Sequence, residues 1–307
     1  MAYLGEFISL GVAFSWTISA LSSEYGSRRL GVLVMNVWRL GVALLFSGVL
    51  LWFTLGHPYP VNASSVTWFW LLLSGVVGYF FGDWCLFNSY LTIGSRMGQL
   101  FMTLAPMFAA MSAWIMIGQT LSWTALLAML VTLSGIAISI LGRDEQHHMS
   151  VSLPLKGVLF GIGAALGQGV GLVLSKIGVD HYSLDFPQTA SPHIIPFAAN
   201  MIRCVAGVAC FTVWLLLSRQ GGRMRQSLGE RRGLAAMLIA VLSGPFIGVG
   251  FSLMAVQHTA AGIASTIMAT TPILILLPSR WLFHQPITLR NVIGAVISVI
   301  GVSLFFL

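Results

Sequence analysis

The chain has 307 residues, 57% of them hydrophobic and only 7% charged, with a mean hydropathy of +0.91. An ordinary soluble domain carries about 25% charged residues, so a soluble globular fold is excluded and a polytopic membrane protein is implied. The net charge of +7 is spread over short connections between apolar runs, which points to a membrane surface and away from nucleic acid.

Ten apolar runs reach the length of about 20 residues that a span requires. They are predicted at 4–23, 31–56, 66–89, 94–117, 121–141, 155–178, 194–218, 234–257, 260–283 and 287–307. The first is full length with no basic segment before it, so no cleavable signal peptide is expected. Cys85, Cys204 and Cys210 all fall inside apolar runs and read as small buried thiols. Most connections are a few residues long and leave no room for a soluble domain. The longest outer one, Asp180 to Pro192, is expected to be the main insertion between the two halves.

Of the 15 Lys and Arg, all but Lys176, Arg39 and Arg203 fall on one side of this topology. The positive-inside rule makes that side cytoplasmic and puts both termini outside. The loop after span 2, HPYPVNASS, has no Lys or Arg, whereas its counterpart after span 7, RQGGRMRQSLGERRG, is rich in arginine. With five spans per half, equivalent loops lie on opposite faces, and opposite charge is what an inverted repeat requires. Trp52, Trp68, Trp70, Trp123 and Trp281 sit at span ends, as interfacial belts do.

The halves also match residue by residue. Sliding the stretch from Gly94 to Leu141 by 166 positions puts Pro106 on Pro272, Gln119 on Gln285, Ser122 on Thr288 and Gly135 on Gly301. Each copy is an apolar span broken by a proline, a short polar corner and a second apolar span with a glycine. This duplicated pattern resembles the EamA-type transporters of the drug/metabolite transporter superfamily, over nearly the whole chain. The resemblance implies an all-α protein of ten transmembrane helices in an inverted 5+5 repeat, moving small metabolites by alternating access. It divides the chain into a first repeat at 1–141, a cytoplasmic linker at 142–154 and a second repeat at 155–307. Two features depart from the family pattern: Gln119 and Gln285 stand where the corner usually carries Glu, and the charge distribution reverses the usual placement of the termini.

The polar residues inside the spans carry the functional reading. Asn36 and Arg39 in span 2 repeat as Asn200 and Arg203 in span 7. A spacing of three puts each pair on one helical face, and at about 1.5 Å per residue each Arg lies roughly 12–14 Å inside its span. An arginine at that depth must face protein or water. It either clamps a carboxylate or phosphate or serves as a structural cation paired to an acid. Asp83 in span 3 reaches the depth of Arg39, so an ion pair and a proton-coupling role are both open to it. Span 8 offers Gly244-Pro245 and no acid, which makes Arg203 the better substrate anchor.

Spans 4 and 9 bring Gln99, Thr103 and Pro106, and then Ser265, Thr266, Thr270, Thr271 and Pro272. Proline frees a backbone carbonyl, and nearby hydroxyls can satisfy it or hold a ligand. Gly163, Gly167 and Gly171 in span 6 are spaced for close helix packing. Gln168 among them has Trp16 as its equivalent in span 1, and either lines the cargo path or packs between helices. Substrate contact is thus expected from Arg203, Arg39, Asn200, Asn36, Gln168, Trp16, Gln99 and Thr270. Coupling is expected from Asp83 or from Glu6 near the outer end of span 1. His147 and His148 read as a chance pair in the linker, and no metal-ligand cluster, nucleophile motif or phosphate loop is present in the sequence.

The expected activity is secondary transport, in the export direction, of a small polar metabolite such as an amino acid or other carboxylate. No enzymatic activity, cofactor or ATP hydrolysis is implied. The alternatives are an exporter of hydrophobic cations, a membrane-embedded lipid-modifying enzyme and a non-transporting subunit. The expected partners are the lipid bilayer and the cargo, without nucleic acid, in a monomer or homodimer of a bacterial inner membrane.

Overall fold

The structure is a computed structural model that describes residues 3–120, 122–143, 149–151, 153–186, 194–248, 251–252, 255, 258, 261–284 and 287–304. In chain order the helices are α1 (Leu4–Leu30), α2 (Val32–Leu55), α3 (Ser65–Ser74), α4 (Asp83–Met102), α5 (Ala105–Ile117) and α6 (Trp123–Ile140). The second half holds α7 (Leu155–Asp185), α8 (Ile195–Leu217), α9 (Gly221–Ser227), α10 (Arg231–Val241), α11 (Ala261–Met268), α12 (Thr271–Leu274), α13 (Leu276–Phe283) and α14 (Leu289–Leu304). Between the halves, β1 (Leu141–Arg143) and β2 (Met149–Val151) form an antiparallel pair where a plain linker is expected. The protein is otherwise helical.

Seven helical stretches are long and apolar enough to cross a membrane, and the apolar stretches Ala105–Ile117, Thr271–Phe283 and Leu289–Leu304 are shorter. One of the seven, Ser65–Met102, is a single run only in name. Gly94 inside it has φ 82° and ψ 156°, and Gly31 between α1 and α2 has φ 81° and ψ 153°. Only glycine adopts that region without strain, so at both points the chain reverses without a loop. Span 1 was expected to end at residue 23, but α1 continues to Leu30 because nothing breaks a helix before Gly31. Glu24, Arg28 and Arg29 therefore lie on a continuous helix. Likewise α7 runs to Asp185, past the expected boundary at 178, and shortens the outer connection. The rest of that connection, 187–193, lies outside the described residues, as do Gln285, His147 and His148.

Equivalent spans of the two repeats face each other. In the α6–α14 pair, Ser298 Oγ lies 3.4 Å from the Thr132 carbonyl, and Asn291 Nδ2 donates to the Ser139 carbonyl at 3.3 Å. A Cβ added to Gly135 would meet Ser298, and one added to Gly301 would meet Thr132. Residue numbers rise along one helix as they fall along the other, so the pair is antiparallel. Thr132 and Ser298 are equivalent positions, and a two-fold relation between the repeats passes between them. The α2–α8 pair runs the same way: Gly207 abuts Leu40, and Gly48 approaches Met201. Across the molecule α7 packs on α3 to α5, while α1 packs on α10 and α11. The repeats are inverted and interlocked.

Wide π-helical turns occur at equivalent places, Gly75–Gly82 after α3 and Leu242–Gly248 after α10. Pro245 supplies no N–H to the second. In the first, Gly78 and Gly82 let α7 approach so closely that a Cβ on Gly171 would lie 2.8 Å from the Gly78 Cα. Ser74 Oγ seals this seam by donating to the Gly171 carbonyl at 2.7 Å.

Candidate functional site

The two N-x-x-R segments lie on the antiparallel α2–α8 pair, where Leu40 abuts Gly207 and Gly48 approaches Met201, and the wide turn after α3 packs on Arg203 through Gly75 and Gly78. Around Arg39 the contacts are dense. Its Nη2 donates to Asp83 Oδ2 in a short ion pair and reaches Asn36 Oδ1 at 3.4 Å, while its guanidinium lies 5.0 Å over the Phe87 ring. Asp83 sits at the first position of α4, and its side chain is only 6% exposed. Its other oxygen, Oδ1, accepts from Gln168 Nε2 at 2.9 Å. The same Nε2 donates to the Gly78 carbonyl at 3.1 Å, which fixes which end of the Gln168 amide faces the acid. Both carboxylate oxygens accept, as an ionised carboxylate requires.

Phe87 stacks on Tyr90 with centroids 5.8 Å apart, and Gln99 Nε2 donates to the Tyr90 hydroxyl at 2.6 Å. Gln99 is thereby joined to the Arg39 side of the site through two buried rings. Asn36 is fully buried and also donates to the Val32 carbonyl at 3.0 Å.

Around Arg203 the contacts are sparse. Its guanidinium lies 4.4 Å over the Tyr79 ring. Among the described residues its Nε is buried without a hydrogen-bond partner, and no carboxylate lies in ion-pair range of the side chain. The Tyr79 hydroxyl is held by Asn200 Oδ1 in a short hydrogen bond, so Asn200 is occupied by the tyrosine and not by its own arginine. Gly78 makes room for the guanidinium: a Cβ there would stand 3.1 Å from Arg203 Nη2. One arginine is neutralised. The other has the Tyr79 ring and no carboxylate in ion-pair range among the described residues.

The remaining expected residues lie elsewhere. Trp16 packs with Val12, Ala255, Ala264 and Met268, and faces Gly248 in the second wide turn as Gln168 faces Gly82 in the first. Thr270 is at the interruption between α11 and α12, where its hydroxyl donates to the Ile267 carbonyl at 2.6 Å. Thr103 does the same for Leu100 at 2.6 Å, and Thr271 takes the Met268 carbonyl at 2.9 Å. These hydroxyls satisfy carbonyls at helix breaks, next to Pro106 and Pro272. The side chains of Ser265 and Thr266 lie outside the described residues. Glu6 is half-buried near the start of α1. Trp38 and Trp84 point away from the charges, Trp38 to Ser227 Oγ at 3.0 Å and Trp84 into Phe160 and Trp214.

With the geometry in place, the comparisons give the family. A model of the EamA-like transporter family matches residues 3–141 and 155–307. The chain belongs to the EamA-like transporter family. Both halves match, so the duplication is of the family unit itself. Among solved structures 19 chains match. One crystal structure, of a chain described only as a protein, aligns over 97% of this chain and 96% of its own, at 13% identity and a TM-score of 0.56. That similarity shows a shared fold. A search of curated proteins finds no match. This EamA-like protein is an integral membrane protein of a solute-transporter family, built from multiple membrane-spanning helices.

Sequence reasoning missed Tyr79, Phe87, Tyr90 and Glu24. Tyr79 stands one helical turn before Asp83 in GVVGYFFGD, a spacing that was available to read. Glu24 falls just beyond the expected end of span 1 at residue 23. It is fully buried on α1, accepting from Arg28 Nη2 at 2.7 Å and from the Ser95 backbone N–H at 2.6 Å. There it caps the helix that restarts after Gly94.

Proposed function

We propose that this EamA-like protein is a secondary transporter that exports a small carboxylate-bearing metabolite, such as an amino acid or another organic acid, by alternating access, with Arg203 as the anchor. The observation that carries this reading is that Arg203 has no carboxylate in ion-pair range among the described residues while its equivalent, Arg39, is paired to Asp83. A cation inside a span costs several kcal/mol unless compensated. An arginine's planar fork matches a carboxylate in two parallel hydrogen bonds, so a bound carboxylate supplies the missing compensation. Arg39, Asn36, Asn200, Gln168 and Gln99 shape the polar surroundings, and Trp16 and Thr270 mark the equivalent positions on the opposite repeat and at the span 9 break. A hydrophobic cation is disfavoured here, because Asp83 is paired to Arg39 and the site keeps the positive charge of Arg203.

In this reading Asp83 is a fixed counter-ion. Glu6, near the outer end of α1, is then the carboxylate placed to exchange protons. Orientation follows the basic residues. Arg29 pairs with Glu230 at 2.8 Å and Arg28 lies 5.4 Å over the Phe283 ring, so basic ends of spans 1, 8 and 9 cluster at one face. We assign that face to the cytoplasm of a bacterium, with the termini outside.

The test is thermal stabilisation of the purified protein in detergent by amino acids, organic acids, sugar phosphates and lipophilic cations, with Arg203→Ala in parallel. Binding raises apparent stability by mass action. A carboxylate hit in the native protein that disappears in Arg203→Ala supports the anchor. Stabilisation by the same compound in both proteins removes Arg203 from the binding site.

A further inference from the structure

We infer that Asp83 sets the charge of the cargo: by cancelling Arg39 it leaves one net positive charge at the site and selects a monoanionic carboxylate over a zwitterionic amino acid. This inference rests on the reading of Arg203 as the anchor and narrows it.

Among the described residues, the charged groups facing the site are Arg39, Arg203 and Asp83. Asp83 is fully committed, one oxygen to Arg39 and the other to Gln168 Nε2 at 2.9 Å. The other carboxylate buried in the first repeat, Glu24, is also committed, to Arg28 at 2.7 Å and to the Ser95 N–H at 2.6 Å. Every oxygen of both already accepts a hydrogen bond, so the ammonium group of an amino acid would have to compete with resident donors. The second repeat offers no substitute, because the residue equivalent to Asp83, 166 positions on, is Val249. A zwitterion therefore brings a positive charge to a site that already has one in excess. A monoanion brings the site to neutrality, and neutrality matters most at membrane depth, where charge interactions are weakly screened. A dianion overshoots by one.

The geometry also explains why Asp83 and not the arginine pair sets the sum. Arg39 and Arg203 are equivalent by the repeat, so duplication fixes two positive charges. The single acid breaks that symmetry. Gln168, held by the Gly78 carbonyl at 3.1 Å, fixes Asp83 Oδ1 while Oδ2 meets Arg39.

The experiment uses the full chain in detergent and matched probes: at each of several chain lengths, an alkanoate, its ω-amino acid and its α,ω-dicarboxylate. The native protein is expected to be stabilised most by an alkanoate. Asp83→Asn removes the negative charge at constant size, so the dicarboxylate should overtake the alkanoate, on the order of tenfold or more in apparent Kd. The double variant R39Q/D83N restores a net charge of one, and the alkanoate should again rank first, with weaker binding. The double variant also keeps the test open where Asp83→Asn alone does not fold. An ω-amino acid that matches the alkanoate on the native protein overturns the inference. So does the lack of any alkanoate effect, or an Asp83→Asn protein that still prefers the alkanoate. In the double variant, a dicarboxylate or zwitterion ranked first overturns it too. Arg203→Gln separates the two levels: retained alkanoate stabilisation there refutes the anchor itself, whereas its loss alongside an unswitched Asp83→Asn refutes only the role of Asp83.

Discussion

Arg39 and Arg203 occupy equivalent positions of a duplicated unit and live in opposite environments. Arg39 has an acid, an asparagine and a ring, whereas Arg203 has a ring and no carboxylate in ion-pair range; among the described residues the Nε of each is buried without a hydrogen-bond partner. The difference does not come from the helices that carry them, since both sit on N-x-x-R segments of the antiparallel α2–α8 pair. It comes from α4, whose first residue is Asp83, and from Tyr79 one turn earlier, which takes Asn200 for its hydroxyl. A symmetric scaffold thus acquires an asymmetric site through two side chains of one span. Under the proposed function, structure and binding are divided between the arginines, Arg39 holding the fold and Arg203 the cargo.

The largest expected effect breaks the comparison from the structural side. Arg39→Ala leaves Asp83 buried and unpaired, and removing one member of a buried pair costs about 3–5 kcal/mol. Arg203→Ala removes a cation that has no ionic partner among the described residues, so the lost cation–π contact of about 1 kcal/mol is set against the relieved cost of an uncompensated charge, and little loss or a net gain is expected. Equilibrium unfolding in mixed micelles ranks the two. Equal losses would show that Arg203 has a structural partner and would end the division of roles.

The approach of α8 to the turn after α3 positions Arg203, and it has its own test. A Cβ on Gly75 would press on the backbone of Arg203 and stand 2.8 Å from the Ala206 Cβ. Backbone cannot yield as a side chain does, so Gly75→Ala is expected to cost about 1–3 kcal/mol. Gly41, on α2 near Arg39, meets nothing within 4 Å, and Gly41→Ala should be neutral or stabilising by up to about 1 kcal/mol through helix propensity. The same unfolding assay reads both. A harmless Gly75→Ala would mean that the α3–α8 seam is loose and that Arg203 is not placed by it.

Most of the fold was legible in the sequence because hydrophobic runs, loop charge and duplication are linear signals. The inverted relation could be read from the loops after spans 2 and 7, and the antiparallel α2–α8 and α6–α14 contacts express it in space. Helix ends were less legible. Span 1 is expected at 4–23, whereas α1 runs to Leu30, because Glu24 on the helix is satisfied by Arg28 and the Ser95 N–H and does not end it. The site was half legible. The N-x-x-R repeat and the depth of Asp83 pointed to the three charges, whereas the roles of Tyr79 and Phe87 depend on which ring faces a guanidinium. That is set by the π-helical turn at Gly75–Gly82, which shifts side chains off the 3.6-residue register that a linear reading assumes.

The smallest expected effect sharpens the comparison most. Asn36 and Asn200 are equivalent, yet Asn36 accepts from its own arginine at 3.4 Å while Asn200 accepts from the Tyr79 hydroxyl. Tyr79→Phe keeps the ring under Arg203 and removes only that hydroxyl. Asn200 Oδ1 then becomes available one helical turn from Arg203, as Asn36 is to Arg39. The lost hydrogen bond is replaced by a new one, so the fold should change by about 1 kcal/mol or less. Ligand affinity should fall by more than the fold does, because the anchor now has a resident acceptor to give up; a single hydrogen bond of about 0.5–1.5 kcal/mol corresponds to roughly 2- to 10-fold in Kd. Titration of the best stabilising carboxylate against the native protein and Tyr79→Phe measures it. Unchanged affinity would mean that Asn200 does not compete for Arg203, and that the openness of the second arginine is a matter of the missing acid alone.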